Sequence, residues 1–233
     1  LEDCSDDFIF KDKHIVIHCV GGQRTFWDSG KHGSATMNVT LTQASSDMFT
    51  SGNKSARLRS QYVGLGGIVG KFAAGNLFAG EFAKLDGTDG ILNFGRSYDG
   101  SHPKALRLNL NYRPGTVEKN GKGDYLPQGA KDEAQIYVAL STSTVEIRTK
   151  KSNRKLFDPK GSEILAYGQV TLTENFGPEG ALQTIEIPIE YYEAAKTTKP
   201  LYLIIVCSAS KYGDYFNGGE GSLMYVDDFQ LVY

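Results

Sequence analysis

The sequence predicts an all-β fold, a two-sheet β-sandwich wound as a jelly roll, in one domain over residues 1–233. Three observations carry this. Short β-branched and aromatic runs recur from end to end, set apart by Gly-rich turns. Helix signals are scarce, with one turn expected at Tyr191–Lys196. Glycine (27), tyrosine (13) and phenylalanine (12) are abundant, which suits many strands joined by tight turns with aromatic surface to spare.

The elements follow in order. His14–Val20 is a compact apolar run ended by Gly21 and Gly22. Thr36–Thr42 alternates well, and Ala56–Val63 reads as a strand after the Ser51-Gly52-Asn53 turn. Ile68–Phe72 and Leu77–Phe82 flank Ala73-Ala74-Gly75-Asn76, a hairpin-type turn. Gly90–Phe94 is short. Ala105–Tyr112 sets Leu106, Leu108 and Leu110 against Arg107, Asn109 and Asn111, one buried face and one wet face. Ala134–Leu140, Val145–Thr149 and Ile164–Leu172 follow. Thr184–Tyr192 alternates too, but Pro188 demotes it to an edge or a bulge. Leu201–Ser208 is almost wholly apolar and reads as a central strand, and Tyr225–Tyr233 is the last. Arg113–Lys131 and Thr149–Ser162, rich in Gly, Lys and Asn, are expected to be solvated loops.

Bulk composition excludes several classes. Net charge is −2 and the pI near 6.1, without the basic stripe a nucleic-acid partner needs. No apolar run reaches the length of a transmembrane segment. Cys4, Cys19 and Cys207 share no zinc-type spacing, and their odd number excludes full internal pairing. A Cys4–Cys19 disulfide stays open, and Cys207 reads as inert core. The opening Leu-Glu-Asp-Cys carries no signal-peptide pattern, and residues 1–7 are expected to be a linker remnant.

Several stretches together carry a family resemblance. They are Lys71-Phe-Ala-Ala-Gly-Asn-Leu-Phe-Ala-Gly-Glu-Phe82, Asn93-Phe-Gly-Arg-Ser-Tyr98, His102-Pro-Lys-Ala-Leu106 and Tyr112-Arg-Pro-Gly115. The Gly-rich stretch from Cys207 to Ser222 and the Val226-Asp-Asp-Phe-Gln-Leu-Val-Tyr233 ending complete the set, with Trp27-Asp28-Ser29-Gly30 near the start. From about residue 8 onward the chain resembles the "putative carbohydrate metabolism domain" family of gut-bacterial surface and periplasmic proteins. The resemblance implies a galactose-binding-like jelly roll, a place in polysaccharide utilisation, and a cell-surface lipoprotein or periplasmic location. It also implies an upstream β domain in many members, and it carries over no agreed catalytic constellation.

Candidate site residues are read one by one. Asp227 and Asp228 interrupt the last strand, where a carboxylate pair is costly unless solvated, hydrogen-bonded or bound to a cation. In similar modules such a pair helps to hold structural Ca²⁺, here with Asp6, Asp7, Ser51 and Asn53 as possible partners; otherwise one aspartate is solvated and the other caps a turn. Trp27 and Asp28 suit a sugar-stacking ring beside a hydroxyl-binding carboxylate, or a core tryptophan under a loop. Arg96, Tyr98, Asp99 and His102 form the densest polar–aromatic loop, either a sugar-binding edge or an Asp99-Gly100 turn. Tyr212, Asp214 and Phe216 lie in a Gly-rich loop that either meets a ligand or packs tightly.

Glycoside hydrolysis needs two carboxylates roughly 5–10 Å apart. Glu81, Asp99, Asp214 and Glu220 are available, but sequence spacing pairs none of them. His14 and His18 share a strand face and read as structural. The expected function is non-catalytic recognition of a polysaccharide or oligosaccharide. A glycoside hydrolase or lyase using paired carboxylates, and a structural or adhesin-type module, are the alternatives.

Overall fold

Alternation along single strands sets the layers of this molecule. The computed structural model describes residues 8–9, 16–17, 26–29, 40–65, 69–86, 89–118 and 125–233. The first strands are β1 (Phe8–Ile9), β2 (Val16–Ile17), β3 (Trp27–Asp28), β4 (Thr42–Ser45), β5 (Ser55–Arg59) and β6 (Gln61–Leu65). Next come β7 (Val69–Ala73), β8 (Asn76–Asp86), β9 (Asp89–Phe94), β10 (Arg96–Ser97), β11 (Ala105–Arg113) and β12 (Ala134–Ser141). The last are β13 (Val145–Arg148), β14 (Ile164–Leu172), β15 (Gln183–Pro188), β16 (Glu190–Tyr191), β17 (Tyr202–Ser208) and β18 (Leu223–Val232). Among the described residues the only helical pieces are 3-10 turns at Lys151–Asn153, Glu193–Lys196 and Gly213–Tyr215.

The smaller sheet runs β15-β11-β18-β5-β4 and the larger β13-β9-β8-β17-β12-β14-β16, with β10 also paired to β17 and β3 to β8. The eight principal strands are ordered β5-β18-β11-β15 against β8-β17-β12-β14, with antiparallel pairing. The chain repeatedly crosses between the two sheets to achieve this order. That winding is the predicted jelly roll.

The core fills the space between the sheets. Leu106, Leu108 and Leu110 of β11, Val226 and Phe229 of β18, and Leu58 of β5 face Ile136, Val138 and Leu140 of β12 and Leu203 and Ile205 of β17. Each fully buried side chain of this kind contributes about 1.5–3 kcal/mol. Cys207 belongs to this layer, and burial raises its thiol pKa, which agrees with inert core. β12 and β17 are apolar on both faces. Tyr137, Ala139, Ile204 and Val206 turn outward and join Phe78, Leu92, Phe94 and Ile147 in a second cluster outside the sandwich.

Asp227 and Asp228 have a geometric explanation. The β11–β18 register shifts between Arg107 and Asn109, so Asp228 and Phe229 together oppose Leu108. Asp228 takes the left-handed conformation, φ 50°, which aspartate tolerates better than most residues. This bulge returns Phe229 to the core after Val226.

Several expectations change. Ala56–Val63 is two strands, broken at the buried Ser60. Ala73–Asn76 is not a hairpin turn: β7 pairs with β6, whereas β8 pairs with β9 and β17. Gly75 lies there because the chain passes the β5 backbone so closely that a Cβ would sit 2.3 Å from the Arg59 nitrogen. Thr184–Tyr192 splits at Ile189 into β15 on the edge of one sheet and β16 on the edge of the other, as Pro188 foreshadows. The described parts of the long loops mix exposed residues with packed ones: Val117 and Leu126 are buried, and Phe157 stacks on Tyr137 at 4.8 Å. Cys4, Asp6, Asp7, His14, His18, Cys19, Gly30 and residues 36–39 of the Thr36–Thr42 expectation lie outside the described residues.

Candidate functional site

The outward face of the larger sheet floors a pocket of about 320 Å³. Phe78 and Phe82 of β8, Leu92 and Phe94 of β9, Gln135 and Tyr137 of β12, Ile147 of β13, and Val206 and Ser208 of β17 make the floor. The β6–β7 hairpin supplies one wall through Val63, Lys71 and Phe72. The loop after β17 supplies another through Ser210, Lys211, Asp214 and Phe216, and the loop after β13 adds Thr149 and Phe157. The volume and the mainly apolar lining with a few polar groups suit a small-molecule site.

Local structure explains why the loop after β17 holds its shape. Gly218 packs against Phe72 so closely that a Cβ would lie 2.4 Å from the ring. Asp132, fully buried, anchors the loop from behind. Its Oδ2 accepts hydrogen bonds from Ser210 Oγ (2.5 Å), Ser222 Oγ (2.6 Å) and the Gly219 N–H (2.8 Å), and its Oδ1 from the Glu133 N–H (2.8 Å). Burial raises the Asp132 carboxyl pKa, and these hydrogen bonds oppose the shift. Phe216 ends the 3-10 turn in the left-handed conformation, φ 58°, which is strained for a non-glycine residue and aims its ring into the pocket wall.

Asp214 is the carboxylate of this pocket. Its side chain is accessible to solvent, yet the surrounding walls strip enough water to raise its pKa above the ordinary value, while the Arg154 charge opposes the shift. Outside the pocket lining stands a tyrosine stack. The rings of Tyr125 and Tyr212 lie 4.9 Å apart and those of Tyr125 and Tyr215 4.2 Å apart. Arg154 sits 5.0 Å over Tyr215 and Lys211 sits 5.1 Å over Tyr212.

Of the predicted site residues, Asp214 and Phe216 line this pocket and Tyr212 stands beside it. The rest are elsewhere. Trp27 is 5% exposed and packs on Phe229 at 4.7 Å, so it is core and offers no ring face to a sugar. The Asp28 carboxylate accepts the N–H groups of Phe82 (2.7 Å) and Ser29 (2.8 Å), holding the β3–β8 junction. Arg96 donates to the carbonyls of Phe26 (3.0 Å) and Gly80 and lies 4.0 Å from Glu81, at a small separate recess. Tyr98 is half-buried against the core with its hydroxyl 3.1 Å from that of Tyr233. Asp99 accepts from the Ser101 N–H (2.9 Å) and hydroxyl (2.8 Å), a turn-holding role. His102 is exposed, its ring 5.3 Å from Tyr191. The Arg96 end of this group pairs with the start of β17, roughly 15 Å along that strand from the pocket at its end.

Asp227 and Asp228 lie on the outer face of the smaller sheet, across the sandwich from the pocket, with Asp227 buried beneath Thr50. Asp227 accepts the Thr50 N–H (2.8 Å) and hydroxyl (3.0 Å). Asp228 accepts the hydroxyls of Thr50 (2.6 Å) and Ser51 and the Asn109 amide (3.3 Å). Burial, with the Asp228 charge, raises the Asp227 pKa. No group of three or more His, Cys, Asp or Glu side chains suited to a metal occurs among the described residues. A Ca²⁺ at this pair would find the hydroxyl oxygens of Thr50 and Ser51 beside it, but Asn109 turns its amide NH2 toward Asp228 and its Oδ1 accepts from Thr184.

Sequence reading missed most of the pocket: Phe72, Phe82, Tyr137, Phe157, Lys71 and Lys211. One signal was present. The Leu201–Ser208 run has apolar residues on both faces, which requires a cover on the outer face as well as the inner one.

A family model described as "putative carbohydrate metabolism domain" matches residues 5–232. A crystal structure of a putative glycoside hydrolase from Bacteroides thetaiotaomicron superposes with a TM-score of 0.65 at 20% identity, covering 97% of this chain and 70% of that one. A putative glycoside hydrolase from Bacteroides vulgatus gives 0.64 at 23% identity, covering 93% and 89%. A non-crystalline cellulose specific carbohydrate-binding module gives 0.42 at 10% identity, covering 89% and 87%. No curated protein matches the sequence.

Proposed function

From the chain's membership of the putative carbohydrate metabolism domain family, we propose that it is a glycan-binding module whose ligand enters the pocket on the outer face of the larger sheet. The observation that carries this is the lining itself. Phe82 and Phe157, both part-exposed, are aromatic faces of the type that stack on sugar rings, and Asp214, Lys71 and Lys211 are polar groups of the type that hold ring substituents. The setting that fits is glycan utilisation at a bacterial cell surface or in a periplasm, with Ca²⁺ at Asp227 and Asp228 as a structural addition.

Binding is favoured over hydrolysis by the carboxylate inventory. Among the described residues Asp214 is the one carboxylate that lines the pocket, whereas two-carboxylate chemistry needs a partner roughly 5–10 Å away. The raised pKa of Asp214 favours the second reading, in which it is a general acid of a glycoside hydrolase.

A glycan array with the purified chain, followed by a product assay on every hit, tests both. Binding without cleavage is expected and lost in Phe82→Ala and Phe157→Ala. Cleavage of a hit that stops in Asp214→Asn replaces this reading with the second. No retained glycan removes both.

A further inference from the structure

The cations around the pocket carry the reading further. Lys71 enters from β7, Lys211 from the loop after β17, and Arg154 from the loop after β13. Each is seated on an aromatic ring of the Tyr212–Phe216 loop: Lys71 5.0 Å over Phe216, Lys211 5.1 Å over Tyr212, and Arg154 5.0 Å over Tyr215. Three strand-and-loop elements therefore bring positive charge to one short segment. Asp214 interacts with the Arg154 charge, Glu133 lies 3.1 Å from the Lys211 ammonium, and Glu118 and Glu220 act on Tyr62 of the neighbouring β6. Two of these cations, Lys71 and Lys211, line the pocket, against one carboxylate, Asp214, that does so among the described residues.

The neutral hydrogen-bonding groups nearby are largely used within the protein. Ser208 donates to the Ser210 carbonyl, Ser210 donates to Asp132, and Gln135 donates to Gln169. An ammonium carries three donors, so one partner such as Glu133 does not exhaust Lys211. Within apolar walls, an anionic substituent gains more from such donors than a hydroxyl does.

We propose that the pocket selects an anionic saccharide, whose carboxylate or sulfate meets Lys71 and Lys211 while a sugar face lies on the aromatic wall. This inference rests on the glycan-binding reading.

Matched ligand pairs test it by titration calorimetry: oligogalacturonides with their methyl esters, and a sulfated galactan oligosaccharide with its desulfated form. An acidic member is expected to bind about tenfold tighter than its neutral partner. The advantage should shrink as salt rises from 50 to 500 mM, values chosen to span roughly a threefold change in screening length. Which pair shows it separates carboxylate from sulfate. Lys71→Met, at an exposed position, should abolish the preference with an unchanged melting temperature, and Lys211→Met provides an independent second variant. Equal affinity within both pairs, or binding confined to neutral members of a glycan array, overturns the inference and leaves glycan binding standing. A preference that survives both lysine variants overturns their role. Failure to bind any glycan removes the underlying reading as well.

Discussion

The two faces of the larger sheet are both apolar, yet they are built differently. The inner face is largely aliphatic, Ile136, Val138, Leu140, Leu203 and Ile205, and a complete second sheet covers it. The outer face is rich in rings, Phe78, Phe94 and Tyr137 with Phe82, Phe157 and Tyr167 beside them, and among the described residues a hairpin and two loops cover it. Aliphatic side chains interdigitate across a sandwich and leave few voids. Flat rings with partial cover leave a pocket, and they leave it where polar loop residues can reach. One layer holds the fold and the other is available for recognition.

Mutations on the two faces should therefore separate stability from binding. The largest loss is expected on the inner face: Leu108→Ala removes a fully buried side chain and should cost about 2–5 kcal/mol in chemical denaturation. Asp132→Asn should cost less, about 1–3 kcal/mol, because an amide cannot accept from both the Gly219 cluster and the Glu133 N–H. The same mutation should weaken ligand binding by loosening the loop that carries Asp214. Phe157→Ala is expected to do the reverse of Leu108→Ala: a small shift in the melting curve and a loss of glycan affinity of about tenfold or more. Equal destabilisation by Leu108→Ala and Phe157→Ala would erase the distinction between the faces.

The smallest effect is a pH dependence. The folded pKa of Asp214 is raised above its unfolded value, so its contribution to stability is full below the unfolded pKa and is lost as pH rises through the folded one. Asp214→Asn removes that dependence. Relative to the parent protein, the mutant should be more stable at pH 7 than at pH 4, as paired melting curves at the two values would show.

The fold was legible where alternation was strong. Ala105–Tyr112 and Ile164–Leu172 match β11 and β14 almost residue for residue; in β11 the alternation of leucines with polar residues leaves a single workable register. Ala73–Asn76 misled because glycine beside asparagine signals a turn, whereas Gly75 is there for a close backbone crossing that only the tertiary structure reveals. The site was less legible. Asp214 and Phe216, singled out because a Gly-rich loop follows a central strand, both line the pocket. Trp27 and Arg96 were misplaced because a rare aromatic or a dense polar loop has the same appearance whether it faces a ligand or clamps a strand. Tyr137 and Phe157 are 20 positions apart in sequence and meet only when β12 is in its sheet.

Asp132 has a consequence for the order of assembly. It is bonded to Ser210, Gly219 and Ser222, 78, 87 and 90 positions away along the chain. Closing loops of that length is entropically unfavourable until other contacts have already brought the ends together. The rim of the pocket is thus fastened from contacts that become available only after β12 and β17 have found each other. On refolding, the β-sheet signal should return before the capacity to bind ligand does, and simultaneous recovery would show that the loop closes with the sheets. A newly made chain would then be structured for a time before it could recognise anything.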